Sequence, residues 1–222
     1  MGAFTIICGD EEFLVQKRGK AVFSQWTEGC GADEFSQETI DARVGNQEEL
    51  AEVIRQFQAS VQTLSLLGES KVVWLKDISF LGDNVTGRAK GTQELLEDLL
   101  KPLLESIDPE AVQVLLTAYP VDRRRSFFKW LQKRGNFEYL EGGSERDPSA
   151  LYEIISSVCS SFEVSFDRNA QDLLLERVSG SARLIQIETE KLATYVGPGE
   201  GSITLDLVNS LVPHYGEANF FE

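Results

Sequence analysis

The sequence predicts an α/β domain with a mostly parallel sheet, followed by a small helical domain. Two observations predict this fold class. Short apolar runs typical of buried strands alternate with helical patterns in the first two thirds of the chain, and the strand-like runs then disappear. Strands that alternate with helices favour a parallel sheet covered on both faces. The composition, 42% apolar and 26% charged, is that of a globular protein with a packed core.

The first strand is predicted at residues 5–8, where an apolar run ends at Gly9-Asp10 and a helical pattern follows at once. The later elements of this domain are a helix at 50–57, a buried strand at 72–75, a helix at 95–104, a buried strand at 112–117, a helix at 127–131 and an edge strand at 136–140. We expect this α/β domain to occupy residues 1–143.

Helical spacing alone continues through residues 144–213, which we expect to form the second domain. Three helices are predicted around 151–162, 173–178 and 184–195. Residues 202–204 are predicted to begin a last short helix, with Thr204 as its N-cap and Asp206 in its first turn.

Composition excludes several classes of protein. No apolar run approaches the ~20 residues that span a bilayer, and the N-terminus lacks the basic start of a secretory signal, so we expect a cytoplasmic protein. Cys8, Cys30 and Cys159 are odd in number and widely spaced, which fits neither a disulfide framework nor a zinc site. The net charge of -15 would repel nucleic acid unless basic side chains cluster locally.

The first strand, turn and helix have the layout in which a glycine-rich loop holds phosphates, but the required residues are missing. Three carboxylates, Asp10, Glu11 and Glu12, stand where an anion would bind, and the Gly19-Lys20 pair falls within the helix. His214 is the only imidazole, and no catalytic or metal-binding set can be singled out. We therefore predict no cofactor, no metal and no active site.

The one local concentration of basic residues lies between Arg123 and Arg134. Arg125, Lys129 and Lys133 recur every four residues and would share one face of the predicted helix. The favoured interpretation is a solvated face opposite the apolar side chains. Contact with DNA phosphates or with an acidic partner is the alternative.

Two adjacent apolar residues, Leu66 and Leu67, lie between an amphipathic helix and a buried strand. They belong to a predicted loop or helical tip at one end of the sheet, with Ser65 before them and Gly68 after them. On spacing alone, the favoured interpretation is a local cap tucked under the sheet.

Three segments, taken together, resemble the bacterial clamp-loader delta subunit of the DNA polymerase III holoenzyme. They are Ile6-Ile7-Cys8-Gly9-Asp10-Glu11-Glu12-Phe13-Leu14, Leu64-Ser65-Leu66-Leu67-Gly68-Glu69-Ser70-Lys71-Val72-Val73 and Glu188-Thr189-Glu190-Lys191-Leu192-Ala193-Thr194-Tyr195. The tail, Ile203-Thr204-Leu205-Asp206-Leu207-Val208 followed by Glu217-Ala218-Asn219-Phe220-Phe221-Glu222, looks like the passage out of that family's second domain. The segments occur in the family's order and spacing.

The resemblance implies an AAA+-like first domain that has lost its phosphate loop, a helical lid domain and a third, collar domain. Residues 214–222 would begin the linker to the collar, which this sequence does not include. The family's subunit binds the ring-shaped sliding clamp, the beta subunit, and opens it, while other subunits bind and hydrolyse ATP. The resemblance thus implies no intrinsic active site, although the chain would belong to a nucleotidyltransferase holoenzyme.

The resemblance also implies partners and a binding site. The family inserts an apolar pair, commonly Leu-Phe, into a pocket of the clamp, and Leu66 and Leu67 match that pair, flanked by Ser65 and Gly68. Leu67 departs from the commonest pattern and lacks an aromatic ring. Other clamp-loader subunits would be met through the collar, and primed DNA only within the complex.

Two other functions remain open from the sequence. One is a degenerate nucleotide-dependent enzyme of the AAA+ type. The other is a DNA-contacting accessory module that acts through Arg125, Lys129 and Lys133.

Overall fold

A computed structural model describes residues 3–29, 36–63, 70–141, 149–199 and 201–215. The chain forms two compact units, Met1–Glu141 and Gly142–Glu222.

The first unit is built on a five-stranded sheet in which every pairing is parallel. The strands are β1 (Thr5–Gly9), β2 (Gln37–Asp41), β3 (Lys71–Ile78), β4 (Val112–Ala118) and β5 (Asn136–Leu140), in the spatial order β2-β3-β4-β1-β5. The predicted fold class is confirmed, and β5 lies at an edge as expected. β2, at the other edge, was not predicted.

Helices connect these strands. They are α1 (Glu12–Gly29), α2 (Gln47–Gln62), α3 (Val85–Arg88), α4 (Lys90–Leu95), a π-helical segment (Leu96–Leu100), α5 (Lys101–Glu105) and α6 (Ser126–Arg134). The helix predicted at 95–104 therefore contains a π-helical turn, which joins α4 to α5. Most of its apolar face packs as expected, because Leu96, Leu100 and Leu104 are buried in the core, but Leu99 is 49% exposed.

Alternating side chains of β1, an interior strand, enter two different cores. Ile7 packs with Trp74 and Leu115 beneath α1, whereas Ile6 and Cys8 face the larger core on the opposite side. Successive side chains of a strand point to opposite faces, so a strand that is apolar at every position must be covered on both. This is why the apolar runs in the sequence lack polar alternation.

The second unit contains α7 (Ser149–Phe162), β6 (Ser165–Phe166), α8 (Arg168–Arg177), α9 (Ala182–Val196), β7 (Ser202–Ile203) and α10 (Leu205–Leu211). It is helical as predicted, with one exception. The prediction that residues 202–203 begin the last helix is wrong, because they pair in parallel with β6 and α10 begins at Leu205. Thr204 is the N-cap of α10, as predicted, and its hydroxyl accepts a hydrogen bond from the Leu207 N–H.

A buried arginine holds α10 in place within this unit. Arg177 of α8 donates to the Val208, Asn209 and Val212 carbonyls, and to the Asn209 side chain at 2.5 Å. The last carbonyls of a helix lack partners inside the helix, so the guanidinium completes the end of α10.

None of the described helices is long and apolar enough to cross a membrane. Across the same residues, no group of three or more His, Cys, Asp or Glu side chains is placed to hold a metal ion.

Candidate functional site

Two places in the first unit bear on function, and they lie at the two opposite ends of the parallel strands. We call these ends the carboxyl edge and the amino edge of the sheet, as distinct from the edge strands β2 and β5. The carboxyl edge, where the parallel strands end, is where a phosphate-binding loop would follow β1. The amino edge, where the strands begin, contains the junction between α2 and β3. The predicted apolar anchor belongs to that junction.

The chain turns tightly at the carboxyl edge after β1. The Asp10 N–H donates to the Leu140 carbonyl at 3.1 Å, which ties the turn to the neighbouring strand. A Cβ on Gly9 would stand 2.2 Å from the Leu140 oxygen. Glycine is therefore required at position 9 by the close approach of β5, and this glycine has a structural role.

The carboxylates that follow Gly9 are held by neighbouring side chains. The Tyr139 hydroxyl donates to Asp10. The Gln16 side-chain amide donates to Glu12 at 3.1 Å and to Asp77 at 3.3 Å. This turn therefore presents negative charge at the place where a nucleotide would bring its phosphates, and the like charges would repel each other.

Two other titratable groups at this edge are kept neutral. Burial raises the pKa of the Cys8 thiol to about 12, against a smaller lowering effect of Arg123. Burial also raises the pKa of Tyr139 to about 12, with a further contribution from its hydrogen bond to Asp10. Cys8 is fully buried and its raised pKa favours the thiol at neutral pH, as is typical of a structural cysteine.

The ends of β3 and β4 are joined through Thr117. Its hydroxyl oxygen accepts from the Trp74 indole at 3.0 Å and from the Asp77 N–H at 3.1 Å. Asp77 has a φ of 56°, in the left-handed region that aspartate tolerates better than most residues. These polar groups at the carboxyl edge thus hydrogen-bond to one another, and their role is to hold β3 and β4 together.

The amino edge contains the junction between α2 and β3. The predicted anchor, Ser65, Leu66, Leu67 and Gly68, lies outside the described residues. The structure describes the chain on both sides of it, up to Thr63 and again from Ser70.

A buried lysine joins three elements beside this junction. Lys71, at the start of β3, is 5% exposed, and its ammonium donates to the Ser60 carbonyl at 2.9 Å and to Glu38 at 3.0 Å. The Ser60 hydroxyl donates to the same Glu38 oxygen at 2.6 Å. We call these three residues the Lys71 cluster. It fixes the end of α2 against β2 and β3.

The charge on Glu38 is favoured by this cluster. Partial burial opposes ionisation, but hydrogen bonds from Ser60 and Lys71 outweigh it and lower the pKa of the carboxyl. A buried ammonium is costly without a charged partner, so Lys71 and Glu38 depend on each other.

Both ends of α2 are also capped. Asn46 accepts from the Glu49 N–H at 2.9 Å, and the Glu49 carboxylate accepts from the Gly45 N–H at 2.6 Å. At the other end, the Thr63 hydroxyl donates to the Ala59 carbonyl at 2.8 Å. The helix that leads into the predicted anchor is therefore held at its start and at its end.

The predicted basic face is not formed as expected, because Arg125 is not part of it. The helix begins at Ser126, and the Arg125 side chain is only 12% exposed. Its guanidinium donates to the Gly87 and Phe80 carbonyls and pairs with Asp122. Arg125 thus joins two loops instead of facing solvent.

Some of the other basic residues of this region also have partners, and others are exposed to solvent. Arg123 lies over the Tyr139 ring, 4.6 Å from its centroid, and Arg124 pairs with Asp122 and Asp83. Lys129 and Lys133 are exposed, and within the described ranges neither makes an ion pair. The structure therefore leaves these two lysines of the predicted three available for a contact.

Sequence patterns did not reveal the Lys71 cluster. Its members come from three distant segments, and no local spacing relates Glu38 to Ser60. One signal was present, since Lys71 directly precedes the apolar run of β3 and is continuous with it. A charged residue that opens a fully buried strand requires a partner.

Comparisons with solved structures bear on the fold. The DNA clamp loader delta protein of Bacillus subtilis matches with a TM-score of 0.57 at 22% identity, over 96% of this chain and 58% of that protein. The RuvB Holliday junction branch migration motor of Thermotoga maritima matches with a TM-score of 0.51 at 15% identity, over 93% of this chain and 60% of that protein. This chain thus spans about three fifths of each of these proteins.

Sequence comparisons bear on the family. Curated protein sequences give no significant match. The family described as DNA polymerase III, delta subunit, matches residues 6–139, which is more than half of the 222 residues and covers the sheet from β1 to β5. The chain therefore belongs to the DNA polymerase III delta subunit family.

Proposed function

We propose that this chain binds the sliding clamp of a replicative DNA polymerase and opens its ring for loading onto DNA. The observation that carries the proposal is the family match, which runs through the junction between α2 and β3. The acidic turn after β1 supports a role that needs no nucleotide in this chain. ATP would then be bound by other subunits of the loader.

The proposed contact is the apolar pair Leu66 and Leu67, with Ser65 and Gly68 beside it. Burying a leucine side chain in a pocket contributes about 1.5–3 kcal/mol, so a pair can dominate a small interface. The Lys71 cluster supports this proposal, because it fixes the end of α2 and the start of β3 on either side of the anchor. Less conformational entropy is then lost when the anchor binds.

The remaining parts of the proposal are secondary. Contact with other loader subunits would require a collar domain, and primed DNA would be met within the assembled complex. Lys129 and Lys133 are the residues proposed for a DNA or partner contact. The site of action is the cytoplasm. Among the residues that the structure describes at the carboxyl edge, no geometry favours the nucleotide-dependent alternative.

Size-exclusion chromatography of this chain with its cognate clamp tests the proposal. We expect co-elution of the wild-type chain and loss of co-elution for Leu66→Ser combined with Leu67→Ser. The control is Leu205→Ser, since Leu205 is an exposed leucine of the second unit. Binding that survives the double substitution would contradict the proposal. A large loss of thermal stability would instead favour the local-cap interpretation of the pair.

A further inference from the structure

A surface groove lies between the first turns of α2 and the helix formed by α4 and the π-helical segment. It has a volume of about 510 Å³. Its apolar lining comes from Ala51, Leu95 and Leu99, and it is open to solvent. Leu99 is 49% exposed, although the neighbouring Leu96 and Leu100 are buried.

This exposed leucine lies within the π turn. The Lys101 N–H donates to the Leu96 carbonyl, five residues earlier, so the segment holds one more residue per turn than an α-helix. Leu96 and Leu100, four residues apart, both reach the core, and Leu99 lies at the groove. Single π turns occur frequently at functional sites.

Three carboxylates, Glu48, Glu94 and Asp98, also line the groove. Glu94 pairs with Lys90 at 3.3 Å, but both side chains are largely exposed and such pairs are weak. Within the described residues, Glu48 and Asp98 form no ion pair. The groove therefore combines an apolar floor with unneutralised negative charge.

We propose that this groove binds a basic amphipathic helical segment of a partner protein. Its apolar side chains would cover Leu95 and Leu99, and its lysine or arginine side chains would meet the three carboxylates. This is the helix-in-groove mode of recognition, with complementary charge setting partner choice. Nucleic acid and anionic membranes carry the wrong charge for such a rim.

The groove is separate from the proposed clamp anchor. It lies at the first turns of α2, whereas the anchor follows the last turn in sequence, and the helix from Ala51 to Gln62 is about 17 Å long. The inference therefore does not rest on the clamp-binding proposal. A variant that loses the groove contact should still co-elute with the clamp.

Fluorescence anisotropy with a labelled peptide tests the inference on the full chain. The probe is a helical peptide of about 14 residues, leucine on one face and lysine on the other, and its control has serine in place of leucine. We expect Leu99→Ser to weaken binding of the leucine peptide about five- to ten-fold, and Leu205→Ser to leave it unchanged. Equal affinity for the two peptides would overturn the inference.

The charge requirement is tested separately. Glu48→Gln combined with Asp98→Asn should weaken binding about five-fold, whereas Glu105→Gln combined with Glu110→Gln removes the same charge elsewhere and should have little effect. NMR amide shifts of the wild-type chain provide an independent readout. Changes centred on Ala51, Leu95 and Leu99 support the groove, and changes centred on other elements overturn it.

Discussion

The two edges of the sheet hold their polar groups in different ways. At the carboxyl edge, carboxylates crowd after β1 and are held by neutral donors, Tyr139 and Gln16. At the amino edge, one buried cation, Lys71, is neutralised by one carboxylate. The excess of negative charge at the carboxyl edge disfavours the binding of phosphate. The neutralised Lys71 cluster at the amino edge can be buried and can fix the two ends of the loop between α2 and β3. The comparison supports our proposal that the clamp contact, rather than a nucleotide site, is placed beside the amino edge.

The largest effect is expected where the carboxyl edge is tightest. Gly9→Ala places a Cβ 2.2 Å from the Leu140 carbonyl oxygen, a backbone atom that cannot turn away. We expect it to lower the free energy of unfolding by about 3 kcal/mol or more, measured by urea denaturation. Gly45→Ala is the control, because its nearest neighbour would be the Glu49 side chain at 3.6 Å, and it should cost less than about 1 kcal/mol. Equal stability of the two variants would show that β5 can move away from the turn.

The next effect concerns the Lys71 cluster. Glu38→Gln leaves the buried ammonium without a charged partner. Because the Glu38 side chain is 44% exposed, solvent offsets part of the loss, and we expect a cost of about 1–2 kcal/mol. Glu52→Gln breaks an exposed pair with Arg55 and should cost no more than about 0.5 kcal/mol. Similar costs would mean that Lys71 is stabilised by its carbonyl partner alone.

The stability difference between the wild-type chain and Glu38→Gln should depend on pH. The pKa of Glu38 is lowered in the folded state, so its contribution is present above its ordinary value of 4.5 and is lost as pH falls through the lowered pKa. The difference in unfolding free energy between wild type and Glu38→Gln should be full at about pH 7 and much smaller at about pH 3. A difference that grows on acidification would contradict the assigned ion pair.

The smallest effect is expected from nucleotide. Because the turn after β1 carries Asp10, Glu11 and Glu12, we expect about 1 mM ATP with Mg²⁺ to leave the thermal midpoint unchanged. Micromolar binding at that concentration would add roughly 4 kcal/mol of stability and raise the midpoint clearly. A calorimetric or fluorescence melt distinguishes the two outcomes.

The central strands could be predicted from sequence because they are apolar at nearly every position. β2 could not, since Ile40 is its one buried residue and the others resemble a polar loop. Its place at the sheet edge explains this, because an edge strand with one covered face needs few apolar side chains. The acidic turn after β1 could be recognised from the sequence alone, because the three carboxylates are adjacent in the chain.

The side-chain partners were less predictable. Four-residue spacing placed Arg125 with Lys129 and Lys133, but the helix begins one residue later and Arg125 turns towards the Gly87 carbonyl. Helix boundaries depend on the loops that precede them, which periodicity does not describe. The Lys71 cluster joins residues that only the folded sheet brings together.

The central claim is that the amino edge binds the clamp and that this chain needs no nucleotide to do so. Isothermal titration of the cognate sliding clamp into the full chain, with and without ATP and Mg²⁺, tests it most directly. We predict a measurable dissociation constant that is the same in both conditions. The absence of binding, or binding that occurs only with ATP, would contradict the account.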